Sequence, residues 1–140
     1  MKHKKILVPI DDSKNSWRSI DHAIVFAKET GAKITILYVV PTIQESEFRS
    51  SGIDKRAMKM ATNVVERVKA YAARKGIVFK TRVDHGHVGY CIIKHAHSKK
   101  HNFDLLIIGS RGKGRIRKMI FGSTSNYVIS ESRLPVLVVK

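Results

Sequence analysis

A single cysteine, Cys91, excludes an internal disulfide and a thiolate metal centre from this 140-residue chain. It fits a reducing compartment and reads as a small hydrophobe within a helix. No apolar run approaches membrane-spanning length. The run nearest the start, Ile6-Leu7-Val8 behind Lys2, Lys4 and Lys5, is broken at Pro9 and halted by Asp11-Asp12, too short for a secretory signal. The expectation is a soluble, cytoplasmic protein with no membrane partner. Aromatic residues make up only 7% and few lie among the basic ones, so stacking on single-stranded nucleic acid has little support. Acidic residues are also scarce, 11 against 27 Lys and Arg, for a net charge of +16. Such a field attracts polyanions, but it does not choose among small phosphates, nucleic acid and an anionic surface. Linkers, low-complexity tracts and repeats are lacking as well, so residues 1–140 read as one domain.

What is present is a glycine segment. Gly109 to Ser123 reads GSRGKGRIRKMIFGS and follows the bare aliphatics Leu105-Leu106-Ile107-Ile108. A buried strand therefore runs into Gly109-x2-Gly112-x9-Gly122-Ser123, with a helix opening at the last pair. Glycines let backbone N–H groups approach an anion, and the first amides of a helix carry partial positive charge toward it. The spacing is not G-x-x-x-x-G-K-[ST], which excludes a Walker P-loop. A dinucleotide fingerprint from Gly112-x-Gly114 would need a third glycine where Arg117 stands, so that reading fails too.

Strand and helix signals alternate along the rest of the chain. Lys5–Val8 reads as a strand, and Ser13 or Asn15 can cap the helix after it, in which Trp17, Ile20, Ile24 and Ala27 recur at helical spacing until Gly31. Lys33–Val40 is a β-branched strand, and Asp54–Lys75 a long helix whose Met58, Ala61, Val65, Val68 and Ala72 share a face. Ile77–Val83 is less apolar, which predicts an edge strand. Val88–Lys100, Phe103–Ile108, Ser123–Ser132 and Pro135–Val139 complete the alternation as helix, strand, helix and strand. The pattern predicts an α/β fold: a single doubly wound, open, parallel five-stranded sheet with helices on both faces, Rossmann-like. Ligands of such sheets bind beyond the carboxyl ends of the strands, where strand order reverses.

The stretches ILVPIDDS, ITILYVV, DLLIIGSRGKGRIRKMIFGSTSNYVI and PVLVVK resemble the universal stress protein family in its nucleotide-binding branch. The Gly-x2-Gly-x9-Gly-Ser spacing carries that resemblance. It implies the adenine nucleotide alpha hydrolase-like variant of the fold and a stress-response protein that holds ATP or AMP, with Mg2+ or Mn2+ accompanying the phosphates. Asp11 then lies at the nucleoside end, beside Pro9 and Ile10. Val39 meets the adenine, Ile108 and Gly109 lead into the loop, and Gly109 and Gly112 approach ribose and phosphate. Gly122 and Ser123 hold phosphates, with Thr124 and Ser125 as further hydroxyl donors and Arg111 as a charged accessory. The family also implies a homodimer through the last strand, Val136, Leu137, Val138 and Val139. Gly86-His87-Val88-Gly89 departs from the family by lacking a proline before the third helix.

Other readings remain open beside this one. Asp11 or Asp12 can simply cap the first helix. Arg111, Lys113, Arg115, Arg117 and Lys118 form either a basic flap over a triphosphate or a nucleic-acid contact through phosphates, the lesser alternative. Basics on the long helix, Arg67 and Lys75 among them, read as its solvated side. His97 and His101 are four apart, a spacing that holds a metal on one helical face but supplies too few ligands for a closed site. No carboxylate falls within Gly109–Ser123 to position a metal or water, which points to little or no hydrolysis. A slow ATP hydrolase is the alternative.

Overall fold

The computed structural model describes residues 4–42, 55–111 and 121–140. Its elements alternate as β1 (Lys5–Ile10), α1 (Lys14–Thr30), β2 (Lys33–Pro41), α2 (Lys55–Arg74), β3 (Lys80–Gly86), α3 (Val88–Ala96), β4 (Leu105–Gly109), α4 (Ser123–Glu131) and β5 (Val136–Val139). The five strands form one sheet in the order β3-β2-β1-β4-β5, and every neighbouring pair is parallel. The chain winds outward from β1 to β3, then crosses to β4 on the other side. The switch point therefore lies between β1 and β4.

Side-chain alternation along the strands builds two cores. Ile6, Val8 and Ile10 of β1 and Ile34 and Ile36 of β2 pack against Ile20, Ala23, Ile24 and Ala27 of α1 and Val64, Val65, Val68 and Ala72 of α2. Leu7, Leu37 and Val39 point the opposite way, onto Cys91, Ile92 and Ala96 of α3 and Val128 of α4. Strands apolar on both faces are what a parallel sheet covered by two helical layers requires. Cys91 is a buried hydrophobe here, and burial pushes its thiol pKa up, with the Asp84 charge adding to the effect.

β1 runs on through Pro9 to Ile10 and β4 begins at Leu105, and the boundaries differ most from expectation at the third strand and the third helix. The third strand begins at Lys80 and runs through Asp84-His85-Gly86, because pairing along Thr35–Pro41 of β2 carries polar residues into the ladder. It is an edge strand, as expected. The third helix stops at Ala96, where His97 is the C-cap, so His97 and His101 do not share a helical face. His97 Nε2 instead accepts the Arg133 N–H at 3.0 Å, and the His101 ring lies 5.7 Å from that of Phe103. His87 supplies the helix start that the missing proline would have rigidified, its Nδ1 accepting the Tyr90 N–H at 3.1 Å. Among the described residues no group of three or more His, Cys, Asp or Glu is placed to hold a metal.

Candidate functional site

A cavity of about 330 Å³ opens at the switch point. Its walls include Pro9, Ile10, Asp11, Val39, Ile108, Gly109, Arg111, Gly122, Ser123, Thr124 and Ser125. These are the residues singled out from the sequence, with one exception: Gly112, like the basic residues from Lys113 to Lys118, lies outside the described residues. Ser13, Ser16, Tyr38, Pro41, Val88 and Ile92 complete the lining and were not anticipated. The strand-end rule could have found Tyr38 and Pro41. Val88 and Ile92 enter only because α3 packs over β2.

Each wall has a local cause. Ser13 caps α1, its Oγ accepting the Ser16 N–H at 3.2 Å, while Asp11 Oδ1 accepts the Ser13 N–H at 3.0 Å. Neither aspartate is the helix cap; Asp11 instead closes a tight turn that leaves its carboxylate at the cavity wall. Gly109 ends β4 against α1: a Cβ there would lie 2.9 Å from both the backbone carbon and the Cβ of Asn15. Only glycine lets the strand end come so close. Ser110 closes the base of the glycine loop, its carbonyl accepting the Gly122 N–H at 2.7 Å and the Ser125 hydroxyl at 2.7 Å. Ser125 is 3% exposed, and its proton is engaged with Ser110 and the Gly122 carbonyl. Its hydroxyl thus joins the start of α4 to the end of β4, and Ser125 also lines the cavity.

The start of α4 is the chemically important feature. Gly122 is its N-cap, in extended conformation, and no side chain caps the first amides. The first turn contains no acidic residue either. The residues of this helix start, Gly122, Ser123, Thr124 and Ser125, line the cavity. With the Gly122 N–H taken by Ser110, the N–H groups of Ser123, Thr124 and Ser125 have no intrahelical acceptor, and the macrodipole adds about half a positive charge. Arg111, also in the lining, contributes further positive charge.

Asp12 is held differently from Asp11. It adopts a left-handed φ of 65°. Its Oδ1 accepts the Trp17 Nε1–H at 2.8 Å, and its Oδ2 meets Arg67 Nη2 at 2.9 Å. Arg67 therefore belongs to a network rather than to a merely solvated face, and Lys75 likewise sits over the Tyr71 ring at 5.1 Å. The network continues through the edge-on Trp17–Tyr71 contact to Asp21, which accepts the Tyr71 hydroxyl at 2.6 Å. It ties α2 to the β1–α1 turn. Tyr38, in the cavity wall, has its phenol pKa raised by burial and then by the Asp11 and Asp12 charges, so it stays a hydrogen-bond donor.

Removal of the Asp12 carboxylate should cost about 1–2 kcal/mol, because a charge-assisted bond to a half-buried indole is lost while the exposed Arg67 pair contributes little. Urea unfolding of Asp12→Ala beside Arg67→Ala measures this. A larger loss for Arg67→Ala than for Asp12→Ala would overturn the assignment of the stabilisation to the indole.

Fold and site together define a class: doubly wound parallel α/β proteins with a cavity at the switch point, floored by glycines and by a bare helix start. The family model described as "Universal stress protein family" matches residues 2–140. The chain belongs to the universal stress protein family. It is 33% identical to universal stress protein YxiE of Bacillus subtilis over 97% of this chain and 98% of that one. Among solved structures it is similar to the hypothetical protein MJ0577, with a TM-score of 0.87 and 27% identity over 100% of this chain and 97% of the other. The universal stress protein of Archaeoglobus fulgidus, solved in complex with dAMP, shares the fold at a TM-score of 0.71 and 18% identity, each chain covered in full (100% and 100%). No helix among the described residues is long and apolar enough to cross a membrane.

Proposed function

We propose that this chain is an ATP- or AMP-binding stress-response protein of the cytoplasm, a single-domain homodimer in which the nucleotide is a regulatory or structural ligand. The observation that carries this reading is the helix start at Gly122, uncapped and facing a cavity of nucleotide dimensions. The dAMP complex of the A. fulgidus relative supports an adenine nucleotide as the occupant.

The residues fit the ligand chemically. Apolar Val39, Val88, Ile92 and Ile108 offer a slot for a flat base, and Asp11 accepts hydrogen bonds at the nucleoside end. Gly109 keeps the floor low. The amides behind Gly122, with the Ser123 and Thr124 hydroxyls and Arg111, bind phosphate oxygens. Asp11 is the sole carboxylate among the described cavity residues, so a divalent cation would be held mainly by the phosphates. Dimerisation rests on β5, an edge strand whose Val136, Leu137 and Val138 are only half-buried. An open apolar edge of this kind is a ready pairing surface.

Phosphoryl transfer to water needs a positioned nucleophile and metal. A lone carboxylate at the nucleoside end supplies neither at the γ-phosphate. Protein incubated with Mg2+ and ATP should retain intact ATP, with phosphate release far below roughly 1 per second. Release near that rate would make the chain a hydrolase.

A further inference from the structure

The opposite end of the sheet carries a second positively charged feature. Side chains at even positions of β3 and odd positions of β1 and β2 share the face covered by α3 and α4, as Leu7, Leu37 and Val39 show. Lys5, Lys33, Lys80 and Arg82 all fall on that face, near the strand starts. Lys5 stands in register with Lys33, and Lys80 with Thr35. Neighbouring strands are about 4.8 Å apart, so like charges lie side by side, an arrangement that destabilises a sheet. Lys33, Lys80 and Arg82 are exposed. The loop after α3 adds Lys100 and His101. The imidazole pKa of His101 is lowered, by slight desolvation and then by Arg82, Lys100, His95 and Lys5, which brings these cations into one field.

Two carboxylates stand beside the band: Asp104 accepts the backbone N–H groups of Lys4 and Lys5, and Asp84 Oδ2 lies 2.9 Å from His95 Nε2. They offset part of its charge, and Lys5, Lys33, Lys80, Arg82 and Lys100 still outnumber them. Helix-dipole compensation explains Lys94 and His95 in the last turn of α3, but not lysines that begin three adjacent strands.

We propose that this band, from Arg82 and Lys80 through Lys33 to Lys5 with Lys100 and His101 beside it, binds the phosphate backbone of a nucleic-acid duplex, independently of the switch-point cavity. Contacts to phosphates need donors and charge, not aromatic platforms, and they confer no base sequence specificity. An anionic membrane surface is the poorer match. Stable interfacial binding buries an apolar face, and of the large exposed apolar side chains among the described residues only Val78 lies within two residues of a member of this band in the sequence.

The test is fluorescence anisotropy of a labelled 24-base-pair DNA duplex, with the full chain, from 50 to 300 mM KCl, with and without saturating ATP. Lys33→Gln/Lys80→Gln/Arg82→Gln should lower the slope of log affinity against log salt by about 2.7, three contacts at about 0.9 each, and weaken binding on the order of 100-fold at 150 mM. Lys59→Gln/Lys69→Gln/Arg74→Gln removes the same charge from α2 and should leave the slope within about 1 of wild type. The single change Lys80→Gln, at an exposed edge position, should lower it by about 0.9 and keeps the test open if the triple variant unfolds. Equal losses in both triples, displacement of the duplex by ATP, or binding to phosphatidylglycerol vesicles but not to the duplex would each overturn the proposal. The salt-slope and vesicle outcomes do not depend on the nucleotide reading; the ATP arm is read beside an ATP titration of the same variants, which scores that reading separately.

Discussion

Gly122→Val is expected to abolish saturable ATP binding while leaving the protein folded. Gly122 has φ −74° and ψ 170°, an extended conformation that valine adopts freely, so no backbone strain is introduced. An N-cap side chain lies beside the amides of the next two or three residues. Valine methyls would occupy the place that an anion needs and offer those amides nothing in return. Loss of even two such charge-assisted bonds weakens binding by at least about 100-fold, or roughly 2.7 kcal/mol. Calorimetric titration of ATP into nucleotide-stripped protein at physiological salt reads this directly. Equal heats in wild type and variant would mean that net charge, not the helix start, captures the phosphates.

The second large effect is on stability. Gly109→Ala puts a methyl 2.9 Å from backbone and side-chain atoms of Asn15, at the start of α1. That part of α1 cannot yield easily, since Ser13 caps it and Asn15 Nδ2 donates to Ser110 Oγ at 3.0 Å. Overpacking of this kind costs about 1–3 kcal/mol, which in a chain of this size lowers Tm by roughly 4–12 °C. ATP binding should weaken in the same variant because the displaced strand end is the cavity floor. Gly31→Ala is the informative comparison: nothing lies within 4 Å of its Cβ, and its cost of about 1 kcal/mol comes from a φ of 73° alone. A Gly109→Ala protein as stable as wild type would show that the β4–α1 contact is looser than the geometry states.

Both effects act through positions that are legible without coordinates. The aliphatic run before Gly109, the β-branched Lys33–Val40 stretch and the amphipathic long helix specify parallel strands under helices through composition and period alone. Their order places Asp11, Val39, Gly109 and Gly122 at strand ends and a helix start. The strand-end rule for parallel sheets then gathers them at one crevice, and the structure has them lining one cavity. Local chemistry was sufficient because each of these residues is set by its own strand or loop.

What tertiary structure alone decided depends on partners distant in sequence. His97 and His101 match a metal-binding spacing only if the helix continues, and it stops at Ala96 where the Arg133 backbone supplies His97 with a partner. Ser125 looks like a free hydroxyl until the fold brings Ser110 against it. Arg67 looks like a solvated cation until α2 lies across the β1–α1 turn and meets Asp12. Lys5, Lys33 and Lys80 are three separate strand starts in the sequence, and only the register of the sheet makes them neighbours on one face. Periodicity reports which way a side chain points relative to its own element. Which charge or carbonyl it then meets is set by how the elements pack.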